Sequence, residues 1–240
     1  MLDDTSIERV LVVTAHPDDV DFGASGTIAT WTSAGVDVTY CVLTDGDAGG
    51  FDPDVPRSEI PGIRRAEQTA AAAAVGVHDV RFLGYKDGAL EVSQQLRADI
   101  SRVIRQVRPQ RLVQQSPERN WERLGASHPD HMAAGEAAIN AVYPDARNPF
   151  AHPHLAAEGL EAWTVPEVWV MGGPKPNRYV DITDQFHRKI AALAAHESQT
   201  GHLEAGSLEE RLLQWSGANA ATAGLPEGRL AEAFMVVETP

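Results

Sequence analysis

The sequence predicts an α/β protein in which a mostly parallel sheet is covered by helices on both faces. Short β-branched runs alternate with longer helical stretches along the chain, the order that right-handed βαβ units produce. The first such run, Arg9 to Thr14 (RVLVVT), is nearly all apolar, as a strand buried on both faces must be. The chain has 240 residues, 43% of them hydrophobic and 22% charged, which suits one large domain with its own core.

The elements follow in order. After Arg9 to Thr14, the small-residue stretch from Val20 to Ala34 reads as a helix, and Val36 to Thr44 (VDVTYCVLT) as a second strand. The run Asp45-Gly46-Asp47-Ala48-Gly49-Gly50 closes that strand with a strong turn signal. An Ala-rich helix from Ile63 to Val75 ends at Gly76, a usual residue just past a helix C-terminus. Asp79 to Leu83 is a third strand, and Val92 to Val107 a helix that Pro109 terminates. Arg111 to Gln115 is a fourth strand, followed by a helix that starts near His131 and stops before Pro144. Glu167 to Met171 and Tyr179 to Ile182 are later strands, Thr183 to Ser198 a helix, and Leu208 to Trp215 a helical tail. The irregular, Pro-containing segment at about 145–166 is expected to be a loop on the substrate side, because long irregular segments in compact domains are usually functional.

Charge excludes some partners. Against 34 Asp and Glu there are 20 Lys and Arg, and the net charge of −14 repels nucleic acid and anionic membrane. The N-terminus opens with acids instead of a basic signal region, and every apolar stretch is broken short of a membrane span. Cys41 stands alone, so no internal disulfide forms, and it reads as a small apolar residue inside a strand. A cytoplasmic protein that binds neither nucleic acid nor membrane is expected; a homo-oligomer is compatible with this composition.

Ligands of open α/β sheets bind beyond the C-terminal ends of the strands. After the first strand stands Ala15-His16-Pro17-Asp18-Asp19, and after the fourth Ser127-His128-Pro129-Asp130-His131. Imidazole and carboxylate are zinc ligands, and catalytic zinc uses three of them with one open position. Pro17 keeps His16 extended, so His16 and Asp19 can face one metal while Asp18 faces elsewhere. His128 and His131 are three apart, so both could project to one side of a helical turn. The residues therefore point to a two-His, one-carboxylate site made by His16, Asp19 and either His128 or His131. Asp18 is left as a general base, which metal-assisted hydrolysis requires. The same donor set also suits Fe2+.

At these residues the sequence resembles the PIG-L / LmbE-like family of zinc-dependent de-N-acetylases, which act on N-acetylglucosaminyl compounds. AHPDD (Ala15 to Asp19) and HPDH (His128 to His131) carry the likeness most closely. LTDGDAGG (Leu43 to Gly50), RRAE (Arg64 to Glu67), FLGYKDG (Phe82 to Gly88), HESQ (His196 to Gln199) and AEAF (Ala231 to Phe234) extend it along the chain.

The resemblance implies a Rossmann-like fold, Zn2+ on His16, Asp19 and His131, and Asp18 as the base. It makes His128 the residue that stabilises the oxyanion or assists leaving-group protonation, with Asp130 as its orienting partner, and aligns Arg64 with an arginine that contacts the polar part of substrate. The expected substrate is a small amino-sugar-like molecule; a thiol-conjugate amidase, an antibiotic-tailoring deacylase and a non-catalytic binding module are the alternatives. Some mycothiol-type members carry a tyrosine two residues before the first His of HPDH, where this chain has Ala126, so no phenol from that site helps bind the oxyanion, a departure that bears on that branch's substrate and leaves the core chemistry intact.

Other residues are expected to mean less. His152 and His154 read as an incidental loop pair, His78, His187 and His202 as structural or surface groups, and His196 as a packed side chain with one hydrogen bond. Trp121 is the tryptophan expected nearest a substrate ring. Gly23-Ala24-Ser25-Gly26 lacks GxGxxG, and the HPDD turn would repel a pyrophosphate.

Overall fold

The structure is a computed structural model that describes residues 2–121, 124–204 and 206–239, leaving aside the side chain of residue 126. Seven strands form one sheet: β1 (Arg9–Thr14), β2 (Asp37–Thr44), β3 (Asp79–Tyr85), β4 (Arg111–Gln115), β5 (Glu167–Met171), β6 (Arg178–Asp181) and β7 (Ala231–Glu238). Their spatial order is β3-β2-β1-β4-β5-β7-β6. The first five run parallel, and β7 pairs antiparallel with both β5 and β6.

Helices α1 (Asp19–Gly23), α2 (Ser25–Ser33), α3 (Ile60–Ala74), α4 (Gln94–Val107) and α5 (Pro129–Asn140) connect the parallel strands. The later helices are α6 (Pro153–Ala157), α7 (Phe186–Ala194), α8 (Glu197–Thr200) and α9 (Ser207–Thr222). Alternate residues of β1 serve the two faces. Val10 and Val12 pack with Ile28 of α2, Ala71 of α3 and Ala192 of α7, while Leu11 and Val13 pack with Ile100 of α4 and Ala137 of α5. Burial on both sides explains why RVLVVT shows no polar alternation. Cys41 is fully buried in β2, and that burial pushes its thiol up to about 12.

The sequence reading differs from this arrangement in four places. The helix expected from Val20 to Ala34 is broken at Ala24 (φ −146°, ψ −1°) into α1 and α2. The helix expected from Thr183 to Ser198 is α7 with a separate turn, α8. Ala231–Glu238, of which the sequence offers only the motif AEAF (Ala231 to Phe234), is a strand that wedges between β5 and β6; its alternation is blurred because Ala231 and Glu232 are both buried.

The fourth difference concerns the segment at 145–166, expected on the substrate side. It packs instead along α4, where the buried Arg105 guanidinium donates to the carbonyls of Asp145, Ala146, Asn148, Ala151 and Leu160. Trp163 donates to the carbonyl of Pro109, just before β4 begins. The cause is topological: α5 runs back from the C-terminal edge of the sheet, and the chain beyond it must reach the start of a parallel β5.

Candidate metal and catalytic site

Strand order reverses between β1 and β4, with β2 and β3 lying to one side and β5 to the other. A crevice forms at such a point, beyond the strand ends. Both HPD motifs sit there: His16 comes directly after β1 and His128 caps the start of α5 after β4. The Ala15 amide donates to Gln115 Oε1 at 2.8 Å, which ties the two strand ends together. A Cβ on Gly135 would lie 2.4 Å from the Gln115 carbonyl, so only glycine lets α5 seat this closely on β4 and bring His131 to the first motif.

Three donors converge. His16 Nδ1 lies 3.2 Å from His131 Nε2 and 3.4 Å from Asp19 Oδ2, and His131 Nε2 lies 2.9 Å from Asp19 Oδ1. Tetrahedral coordination at ordinary zinc bond lengths separates ligand atoms by about 3.3–3.5 Å. Two imidazole nitrogens and a carboxylate at such spacing fit a divalent cation. His16, His128 and His131 also bring one ring nitrogen each within 4.8 Å of one another, so His128 sits at the edge of the same cluster.

The opposite edge of the His16 ring faces two carboxylates. Its Nε2 lies 3.0 Å from Asp87 Oδ1 and 3.2 Å from Asp130 Oδ2. A ligating imidazole that gives its other N–H to a carboxylate is fixed in tautomer and orientation. Burial works against a charged His16, but Asp19 and Asp87 more than offset it and hold the imidazole at about 11. Burial likewise opposes the Asp19 charge, and hydrogen bonds from His131 and His16 keep its carboxyl well below the usual range.

This geometry corrects the role expected of Asp130. Its carboxylate accepts from the Gly88 and Leu90 amides and faces His16, whereas its contact with His128 is through its own backbone amide, which donates to His128 Nδ1 at 3.2 Å. Asp87 is a site residue that the sequence reading misses. It lies in FLGYKDG, just after β3, and no histidine in that loop marks it as part of a donor set.

Asp18 takes φ 93°, ψ −26°, a left-handed conformation that costs a non-glycine residue about 1–3 kcal/mol. α3 holds it there. Arg64 NH2 donates to Asp18 Oδ2 at 3.0 Å, and one turn later Gln68 Oε1 accepts from the Asp18 amide at 2.8 Å. Burial pushes the Asp18 carboxyl up to about 6, against the pull of Arg64. Arg64, expected to meet substrate, is only 3% exposed, and its guanidinium also donates to the Pro17 carbonyl. A Cβ on Gly49 would lie 2.5 Å from Arg64 NH1, so the glycine-rich loop covers this side chain. Arg64 therefore braces Asp18.

Behind α1 lies a buried polar network. His196 Nε2 sits 2.9 Å from Asp21 Oδ2, in accord with the expected packed histidine. Lys189 donates to the carbonyls of Asp21 and Phe22 and pairs with Glu232 at 2.7 Å. Glu232 accepts from the Gly26 and Thr27 amides, and Ser198 donates to Glu67. HESQ and AEAF are thus parts of the frame around the HPDD turn. His152 pairs with Asp145 at 3.0 Å, far along the chain from the donor cluster, and Trp121 is 82% exposed.

A cleft of about 700 Å³ opens from Asp19 and His131 and runs past Phe22 and Met171 to Arg211 and Trp215 of α9. No residue of 145–166 lines it. Among the described residues, no helix is long and apolar enough to cross a membrane.

The family described as PIG-L, GlcNAc-PI de-N-acetylase, matches residues 11–142, a span that holds both HPD motifs and every group of the donor cluster. The chain belongs to the PIG-L family. It is 37% identical over 199 residues to the probable N-acetyl-α-D-glucosaminyl L-malate deacetylase 2 of Bacillus cereus, covering 80% of this chain and 84% of that one. With diacetylchitobiose deacetylase of Thermococcus kodakarensis it shares 35% identity over 193 residues, 80% of this chain and 70% of the other. The N,N'-diacetylchitobiose deacetylase structure from Pyrococcus horikoshii superposes with TM-score 0.89 at 29% identity, covering 97% of this chain and 85% of that chain. This PIG-L protein is an amide hydrolase of the metal-dependent de-N-acetylase class.

Proposed function

We propose that the chain is a single zinc-dependent deacetylase domain, residues 1–240, that removes the N-acetyl group from a small N-acetylglucosaminyl-type molecule. The observation that carries this reading is the convergence of His16 Nδ1, His131 Nε2 and the Asp19 carboxylate at 2.9–3.4 Å beside Asp18, at the mouth of the cleft. The relatives named above support the substrate class, since their substrates carry an acetamido sugar.

In this reading His16, Asp19 and His131 hold Zn2+, a site that would also suit Fe2+. When bound, the metal supplies a Lewis acid and lets water act as a nucleophile near neutral pH. Asp18, braced by Arg64 and Gln68, takes the proton of the attacking water. His128 Nδ1 accepts the Asp130 amide, so a neutral His128 carries its proton on Nε2 and can donate it to the developing oxyanion. A preorganised donor there is worth about 3–4 kcal/mol. The departing amine receives its proton from Asp18 or His128. Asp130 and Asp87 keep the His16 ring aimed with Nδ1 inward.

The test pairs metal content with a fluorescamine assay of amine release from a panel of N-acetylglucosaminides. Stoichiometric zinc with metal-dependent release is the expected result. A chain that takes up no metal under any loading condition would overturn the reading.

A further inference from the structure

We propose that Gln68, locked by Asp21 and His196, is a positioning residue for the reaction: it holds Asp18 in its left-handed backbone conformation and so aims the general base. The inference rests on the proposed role of Asp18 and adds three residues outside the donor cluster to the machinery. Their side chains come from three separate parts of the fold, α1, α3 and the turn after α7, and all three residues are fully buried.

The polarity of the chain of hydrogen bonds runs one way. A buried carboxylate only accepts, so His196 Nε2, 2.9 Å from Asp21 Oδ2, carries a proton. Gln68 Nε2 donates to the same oxygen at 2.9 Å. That fixes the amide, because a flipped Gln68 would set its oxygen against Asp21 and its NH2 against the Asp18 N–H. Gln68 Oε1 must therefore face the Asp18 amide, and accepts from it at 2.8 Å. Arg64, one helical turn earlier on the same face of α3, meets the Asp18 carboxylate. Backbone and side chain of one residue are thus gripped by two side chains of one helix.

Stability alone does not account for this network. Asp21 Oδ1 and His196 Nδ1 are buried with no hydrogen-bond partner among the described residues, an arrangement that costs folding free energy. An apolar residue at 68 could fill the same space but would release the Asp18 amide.

The test is Gln68→Met, which keeps the volume and removes both hydrogen bonds. On the zinc-loaded enzyme we expect kcat to fall about tenfold to a hundredfold with KM and zinc content unchanged, the scale seen when partners that orient a site are lost. His196→Leu should share the loss, whereas His196→Gln, which can still donate to Asp21, should recover most of it. In the metal-free protein, the amide of Asp18 should exchange hydrogen faster in Gln68→Met than in the parent, a readout that needs no turnover. Wild-type kcat in folded Gln68→Met would overturn the inference, and so would a loss that His196→Gln fails to relieve. An inactive parent enzyme would instead sink the proposed function, and the exchange measurement would still decide whether Gln68 holds Asp18.

Discussion

Asp130 Oδ2 stands 3.2 Å from His16 Nε2, so a carboxylate of the second HPD motif meets the imidazole of the first. His16 and Asp130 are 114 residues apart, yet one ring joins the two motifs: His131 meets its Nδ1 edge and Asp130 its Nε2 edge. Repetition of His-Pro-Asp reflects one site built from two strand ends: the first brings His16, Asp18 and Asp19, the second His128, Asp130 and His131.

Asp130→Asn tests that division. The amide oxygen can take the place of Oδ2, accepting from Gly88 and giving His16 a weaker, neutral partner, while the NH2 gives up the acceptor that meets Leu90. Zinc affinity measured by competition with a chelator should fall about tenfold to a hundredfold. An unchanged affinity, with kcat lowered as though His128 had been disturbed, would return Asp130 to the role the sequence suggests for it.

Asp18→Ala tests the proposed base. Asp18 makes its side-chain contact with Arg64, whereas Asp19 faces both His16 and His131. The variant should keep its zinc and lose about 10²- to 10⁴-fold in kcat, the usual contribution of a general base. Loss of zinc by elemental analysis would move Asp18 into the ligand shell.

Both motifs and the covered parallel sheet are legible in the sequence because their signals are local: an apolar run for a strand buried on both faces, and His-Pro-Asp at a strand end. The hidden parts are relational. Asp87 is an ordinary turn residue until β3 is laid beside β2 and its loop reaches His16. Gln68 lies in a stretch that reads only as an Ala-rich helix, though it is fully buried against Asp21. Arg64 stands out in RRAE, yet spacing alone does not reveal that its partner is Asp18. β7 escapes detection because an antiparallel strand between β5 and β6 leaves no mark on the βα rhythm.

Metal removal should lower stability. Asp19, Asp87 and Asp130 gather around His16, and a bound dication would offset their charge. A metal at one hundred times its Kd stabilises the folded state by about 2.7 kcal/mol, which for a domain of this size raises Tm by roughly 5–10 °C. Scanning fluorimetry of chelated and zinc-reloaded protein should show that difference, and Asp19→Ala should abolish it. Equal Tm with and without zinc would mean that the donors do not bind it.

The placement of 145–166 against α4 makes a prediction about what that segment does not do. Arg105 donates to five of its carbonyls, and no residue of the segment lines the cleft. Arg105→Met keeps the apolar stem but leaves those carbonyls without their donor, and each unmade buried hydrogen bond costs about 1–3 kcal/mol. Tm should fall, and limited proteolysis should cut within 145–166 faster than in the parent. Below the melting transition, kcat and KM on a small acetamido sugar should stay as they were, because the cleft from Asp19 to Trp215 is built by other elements. A raised KM in folded Arg105→Met would show that the segment reaches substrate, and the topological argument from the direction of α5 would fail with it.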